Sequence, residues 1–454
     1  MSRLAVVRAY ARASVQAKSA QRRGRPALLR WQDTQVRRAM AELLPRSPFY
    51  RAHYEGHSVA DWRTLPTIDK SIMMANFDGL NTVGVALDEA IAVAMKAETT
   101  RDFSPNITGS GGVDVTVGLS SGTSGNRSLF LASAEDRATW AGTILSKLLP
   151  GGLLSTRKDR VAFFLRANST LYESVRSARL AFHFFDLFDE LSEHVYRLNA
   201  VQPTVLIAPP SMLRLLAKAL SDGHLKIQPE RVISVAEVLE PIDERFIRQH
   251  FRQTVHQVYQ ATEGFLGHSC VYGTVHLAED AVVIQREPIA GSHGDTPRRF
   301  TPIITDFRRR TQPIFRYRLN DILVEREIPC RCGSPFIGLE AIEGRADDVF
   351  YLKRSSGSSD FRAVFPDFIR RALLYASPDI EEYGVRQTQL DELEVFVSSA
   401  TGESLQPDVT AQFRVLAEKL DCAMPALRFV DAWVQPRGAK LKRVERTCAA
   451  PESS

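Results

Sequence analysis

The sequence predicts an α/β chain in two pieces, a large N-terminal domain with mixed sheets over residues 1–343 and a small α+β C-terminal lid domain over residues 344–454. Three observations predict it. Short apolar runs alternate with amphipathic stretches from about residue 115 to 260, the pattern of strands covered by helices in a mainly parallel sheet. The pattern changes near residue 270 and again near Gly344. A chain of 454 residues also exceeds one typical domain.

Leu29, Val36, Met40, Leu43 and Leu44 recur at helical spacing over 29–47, and Pro45 ends the segment. Val115–Leu119 reads as a strand leading into a Gly/Ser/Thr loop. Ser133 with Asp136 resembles a capping box opening a helix that runs to about Leu149. Val161–Leu165, Val205–Ala208, Val232–Val235 and Val255–Tyr259 are strands by their apolar runs. Between them, Pro209-Pro210 precedes the helix Met212–Leu220, and a second helix is expected near 242–251. Residues 270–325 carry short β-like runs, Val282–Gln285, Pro302–Thr305 and Ile322–Val324, which suggest a smaller antiparallel or barrel-like piece. Beyond Gly344 the order is β–α–β–α–β. A Ser/Gly turn lies at Ser355–Ser359, with helices near Phe365–Tyr375 and Val409–Leu420 and strands near Leu393–Ser398 and Leu427–Val434. The tail Ala449–Ser454 reads as disordered.

Composition narrows the class. Hydrophobic residues at 44 % and charged residues at 24 % are ordinary for a soluble globular protein, and no run of about 18 apolar residues marks a membrane span. Residues 1–30 hold Arg3, Arg8, Arg12, Lys18, Arg22, Arg23, Arg25 and Arg30 and no acid. Leu4–Val7 is too short for a secretory signal, so the expectation is a solvated N-terminal helix of a cytoplasmic protein. The same pattern is shared by organelle transit peptides and membrane-surface helices, which leaves membrane-surface contact open. Nucleic-acid binding needs groove-reading or aromatic elements beside the basic stripe, and none is found. Five cysteines in a long chain argue against a disulfide framework.

Gly118-Leu119-Ser120-Ser121-Gly122-Thr123-Ser124-Gly125 follows the first predicted strand of this series. Glycines allow close approach of backbone to a polyphosphate, and hydroxyls and consecutive amides make an anion nest. No Gly-Lys-Ser/Thr closes the loop, so it is not a Walker loop. Ser120–Gly125 resembles the Ser/Thr/Gly signature of the adenylate-forming superfamily, which includes acyl-CoA synthetases and peptide-synthetase adenylation domains. Four later segments are similar to that family in the expected order. Tyr259-Gln260-Ala261-Thr262-Glu263 resembles Tyr-Gly-x-Thr-Glu, with Gln260 where Gly is usual. The resemblance implies Tyr259 near adenine, Thr262 at the α-phosphate and Glu263 on Mg²⁺, a hard cation suited to a carboxylate. Tyr317-Arg318-Leu319-Asn320-Asp321 resembles Tyr-Arg-x-Gly-Asp, implying ribose contact through Asp321 and a turn that Asn320 preserves by tolerating left-handed φ. Gly344-Arg345-Ala346-Asp347-Asp348 is similar to Gly-Arg-x-Asp-Asp, implying Arg345 as a ribose or phosphate contact and Asp347 as the hinge of the small domain. Pro436–Arg443 resembles the family's C-terminal basic loop. Lys440 is the implied catalytic lysine there, chosen over Lys442 because it matches the Gly-Lys-x-x-Arg spacing.

Cys270, His276, Cys330 and Cys332 form a second constellation. Three thiolates and an imidazole suffice for structural Zn²⁺, and the turn Cys330-Arg331-Cys332-Gly333 aims two sulfurs at one metal. The alternative is two unrelated pairs of buried thiols. The same pattern, with Ala208–Ser211 and Ala236-Glu237, resembles the phenylacetate–CoA ligase and capsule-locus branch, which places Glu237 at the cofactor. Leu29–Gln32, Ser47–Tyr50 and Asp69-Lys70 are similar to the same relatives. The expected reaction is ATP-dependent activation of a small carboxylic acid to an acyl-adenylate, then transfer to the thiol of CoA or a carrier protein. Adenylyl transfer to a hydroxyl stands as the alternative, and a non-catalytic scaffold as a reading of another class. Phe182, His183, Phe184, Phe185 and Phe188 read as core more readily than as an acyl pocket.

Overall fold

The computed structural model describes residues 3–119, 128–149, 158–165, 180–289, 298–355, 360–399, 401–435 and 440–451. Ser120–Gly125, most of the Ser355–Ser359 turn, 436–439 and the last three residues lie outside them. The chain forms two compact units. The first comprises Met1–Glu287, Pro302–Leu319 and Glu325–Glu340, and the second Pro288–Thr301, Asn320–Val324 and Ala341–Ser454.

The first unit is built on a parallel sheet. Asp159–Leu165 pairs in parallel with Leu180–Asp186 on one side and Val205–Ala208 on the other. Arg231–Ser234 and Val255–Ala261 follow in parallel order. Both faces are apolar, as a parallel sheet covered on two sides requires. Ala162, Phe164, Leu206, Ala208 and Val232 face a core closed by the helices Leu191–Val201, Pro210–Ser221 and Pro241–Phe251. Val161, Phe163, Val205, Ile207 and Ile233 point the other way, onto Ala138, Ala141 and Leu145 of the helix Ala134–Leu148. Ser133 caps that helix by accepting the Asp136 amide at 3.2 Å, as its sequence predicts.

The sheet then turns antiparallel. Val255–Ala261 pairs with Gly264–Ser269, which pairs with Val275–Leu277, which in turn pairs with Gly338–Arg345 at Val275↔Leu339. At its start, therefore, the expected barrel-like piece is a continuation of the main sheet. A separate antiparallel set, Ile107–Gly109, Val113–Leu119 and Leu129–Ser133, flanks the glycine-rich loop, whose two ends meet at Leu119↔Leu129.

The N-terminal stretch departs from the solvated helix expected of its charge. Arg3–Leu43 is helical with a break at Gly24, where φ is 74°. Val6, Ala13, Ala20 and Leu28 are buried, while Arg8, Arg12, Lys18, Arg22 and Arg23 remain exposed. Gly142 permits the approach, since a Cβ there would lie 2.5 Å from the Tyr10 nitrogen. Arg25 donates to both Glu279 oxygens at 2.9 and 3.0 Å, so part of the basic character serves internal pairing. Among the described residues no helix is long and apolar enough to cross a membrane.

The second unit carries a four-stranded sheet in the order Ala426–Phe429, Glu392–Ser399, Ile380–Gln389, Val444–Arg446, with helices Pro366–Ala376 and Gln406–Lys419. A two-stranded hairpin, Phe350–Lys353 with Phe361–Val364, completes it.

Candidate active site and metal centre

Thr262 and Glu263 occupy the turn between Val255–Ala261 and Gly264–Ser269. Gln260, standing where a glycine is usual, is absorbed by a register shift between Tyr259 and Gln260. Tyr259 is buried at 8 % exposure and Glu263 at 7 %. A buried carboxylate needs partners, and two neighbours supply them. Tyr317 donates its hydroxyl to Glu263, and burial together with that carboxylate raises the phenol's pKa. Arg309 lies close enough for its charge to act on Glu263, and its Nη1 donates to the Thr262 carbonyl at 2.9 Å. Burial pulls the Arg309 pKa below its ordinary value, opposed by Asp136, Asp306 and Glu263.

Arg309 is a residue that sequence reasoning missed. Arg308-Arg309-Arg310 reads as a charged surface turn. The available signal was the flanking Asp306 and Gln312, polar residues whose side chains fold back on the loop. Asp306 accepts the amides of Arg308 and Arg309 at 2.8 and 3.2 Å, and Gln312 Oε1 accepts Arg309 Nη2 at 2.8 Å and the Leu131 amide at 3.1 Å. Tyr317 is aimed by strain at its neighbour. Arg316 holds φ at 50°, beside a register shift between Ile304 and Asp306, and its amide donates to Thr305 Oγ1 at 3.0 Å.

Glu237 follows a second strained residue. Ala236 has φ 69°, and the Glu237 amide donates to Val235 at 2.9 Å, a tight γ-turn that few non-glycine residues adopt. Glu237 accepts the Ser211 amide at 3.3 Å, joining the two segments on which the branch resemblance rests.

Asp321, Arg345, Asp347 and Lys440 belong to the second unit. The segments of Asp321 and Arg345 are tied together, since the Ala346 amide donates to Asn320 at 2.9 Å and Asn320 Nδ2 donates to Asp347 at 2.6 Å. Asn320 is not among the left-handed residues, so it serves here through its side-chain amide and not through the turn tolerance expected of it. Gly344 takes φ 118°, which does require glycine. Lys442 pairs with Asp348 at 2.8 Å. Burial raises the Asp348 pKa, and Lys442 opposes it. Lys440 is partly buried at the end of the segment 436–439. Of the aromatic segment, Phe185 is fully buried and packs on Phe164 with centroids 4.6 Å apart, whereas Phe188 is 45 % exposed.

The cysteine cluster converges within the first unit. Ligand atoms of Cys270, His276, Cys330 and Cys332 all lie within 4.8 Å of one another. A tetrahedral Zn²⁺ with bonds of about 2.3 Å to sulfur and 2.0 Å to nitrogen implies edges of about 3.8 and 3.5 Å. Cys270 Sγ and Cys330 Sγ are 3.8 Å apart, and Cys332 Sγ and His276 Nε2 are 3.3 Å apart. His276 Nδ1 donates to the Phe336 carbonyl at 3.1 Å, which leaves Nε2 as the metal-facing lone pair. Burial resists ionisation of Cys330, but hydrogen bonds led by those of Thr274 and the Cys332 amide bring its thiol down to about 6. Cys332 is pushed up to about 11 by burial and the neighbouring sulfurs. The donor set and its spacing fit zinc.

No protein-family model matches the chain, and no curated protein matches it. Solved structures do. The chain is similar to 2-hydroxyisobutyryl-CoA ligase in the postadenylation state in complex with R3-HIB-AMP, at 16 % identity over 91 % of this chain and 88 % of that one, with TM-score 0.67. The same ligase with 2-HIB-AMP and CoA in the thioesterification state matches at 18 % identity over 92 % and 89 %, with TM-score 0.53. ATP-bound MatB from Rhodopseudomonas palustris matches at 17 % identity over 73 % of this chain and 65 % of that one, with TM-score 0.50. The chain has the fold of 2-hydroxyisobutyryl-CoA ligase, a large mixed sheet accompanied by smaller separate sheets.

Proposed function

We propose that the protein is an adenylate-forming ligase of the phenylacetate–CoA ligase-like branch. It activates a small carboxylic acid with ATP and passes the acyl group to the thiol of CoA or a carrier protein. The observation that carries the reading is the buried Glu263, flanked by Thr262 and held between Tyr317 and Arg309, in a chain with the fold of a ligase seen with acyl-AMP and CoA.

In the first half-reaction the acid's carboxylate attacks the ATP α-phosphate and pyrophosphate leaves. Ser120–Gly125 supplies amide and hydroxyl donors to the phosphates. Thr262 contacts the α-phosphate, Tyr259 the adenine, and Asp321 and Arg345 the ribose, with Glu237 on the cofactor side. Glu263 would hold Mg²⁺, which neutralises developing phosphate charge. Lys440 stabilises the same charge from the small domain, residues 344–454. Lys442 is less suited to that role, since its ammonium already neutralises Asp348. Asp347 is the hinge at which the small domain then turns to admit the thiol. Cys270, His276, Cys330 and Cys332 would hold a structural Zn²⁺, their ligand atoms lying within 4.8 Å of one another.

The test is a pyrophosphate-exchange assay over a panel of aryl, fatty and hydroxy acids, followed by AMP release with and without CoA. Exchange with at least one acid, and CoA-dependent AMP release, is the expected result. No exchange by the wild type over the whole panel would sink the reading.

A further inference from the structure

We infer that Arg309 and Gln312 are positioning residues that lock the metal-binding turn to the strand leaving the phosphate loop. The inference rests on the activity proposed above and names a device within that same site. Arg309 Nη1 donates to the Thr262 carbonyl at 2.9 Å, next to Glu263. Its Nη2 donates to Gln312 Oε1 at 2.8 Å and reaches the Leu131 carbonyl at 3.5 Å. Gln312 completes the link, accepting the Leu131 amide at 3.1 Å and donating to the Leu129 carbonyl at 3.3 Å. Leu129–Ser133 is the strand that directly follows the glycine-rich loop. One guanidinium and one amide therefore join two segments far apart in sequence, the turn that carries Glu263 and the strand that leaves the phosphate loop.

The joint is itself fixed. Asp306 holds the backbone of Arg308 and Arg309, Asp136 accepts the amides of Arg310 and Thr311 at 2.8 and 3.0 Å, and Thr311 Oγ1 accepts the Ser133 amide at 3.1 Å. Gln312 is 1 % exposed, so its amide has no water to exchange with. The planar guanidinium can bond the Thr262 carbonyl and Gln312 at once, whereas an ammonium keeps the charge without that fork. Residues that orient a metal's carboxylate ligand contribute to metal affinity without touching the metal.

The experiment compares wild type, Arg309→Lys and Gln312→Leu in pyrophosphate exchange, titrating Mg²⁺ at saturating ATP and then ATP at saturating Mg²⁺. Thermal melts report folding of each variant. Both variants are expected to raise the Mg²⁺ concentration for half-maximal exchange about tenfold or more, with kcat falling in parallel, while each retains a cooperative melt. Variants that fold and keep the wild-type Mg²⁺ dependence and kcat overturn the inference and leave the proposed activity standing. A wild type that neither exchanges pyrophosphate nor binds ATP in calorimetry removes the proposed activity and the inference with it. If Gln312→Leu fails to fold, Arg309→Lys, which leaves the buried amide in place, decides alone.

Discussion

At the scale of the single residue, the clearest pH-sensitive contact is Asp33. Burial works to raise its pKa, but hydrogen bonds from Arg37, the Trp62 indole and Arg63 outweigh that and hold it at about 2, below the ordinary 3.8. A carboxyl with a depressed folded pKa contributes stability above its unfolded pKa and loses it as pH falls through the folded one. Asp33→Asn should therefore cost stability fully above about pH 4, with the gap from wild type closing as pH falls toward 2. The cost is about 1 kcal/mol or less, because both arginines are more than a third exposed and solvent screens them. Urea melts at pH 7 and pH 2.5 measure it, and a gap that persists unchanged at the lower pH would show that the carboxylate's charge is not what stabilises.

At the scale of elements, the N-terminal helix is docked by shape as much as by charge. Ala9 Cβ lies 2.6 Å from where a Gly142 Cβ would sit, and the other near neighbours are backbone atoms. Gly142→Ala should force the helix outward, costing about 1–3 kcal/mol as overpacking does and speeding tryptic cleavage at Arg8 and Arg12. A variant with the wild-type melting temperature and cleavage rate contradicts this account of docking. The proposed zinc site at Cys270, His276, Cys330 and Cys332 makes a parallel case. Metal analysis of purified protein should find one zinc per chain. Cys332→Ser should lose it with a lower melting temperature, and a metal-free wild type of undiminished stability would remove the assignment. Much of this was legible in the sequence. Strands such as Val205–Ala208 announce themselves by apolar runs, and Cys330-Arg331-Cys332-Gly333 by its spacing. What stayed hidden depends on long-range contacts. Ile380–Gln389 alternates polar and apolar residues too weakly to read as a strand beside the charged Glu381 and Glu382. The buried positions described in residues 3–28 are only Val6, Ala13, Ala20 and Leu28, two of them alanines, which carry little apolar signal next to seven cations. Arg309 reads as surface because its partners, Thr262, Leu131 and Gln312, come together only in the fold.

At the scale of the whole molecule, the groups assigned to ATP divide between the two units. Thr262 and Glu263 belong to the first, and Asp321, Arg345, Asp347 and Lys440 to the second. The proposed two-step reaction makes that division testable, because a residue needed only while pyrophosphate leaves should be dispensable once the adenylate exists. Lys440→Ala should slow pyrophosphate exchange about 100- to 1000-fold, the cost of losing one preorganised charge stabiliser. Supplied with preformed acyl-adenylate and CoA, the same variant should make thioester at close to the wild-type rate. Lys442→Ala is the contrasting control. It leaves Asp348, whose side chain is 8 % exposed, without its cation, so the expected loss is of stability, lowering the melting temperature and both half-reactions together. If Lys440→Ala slows the two halves equally, Lys440 is a structural residue like Lys442, and the lysine that acts on the α-phosphate must be sought elsewhere.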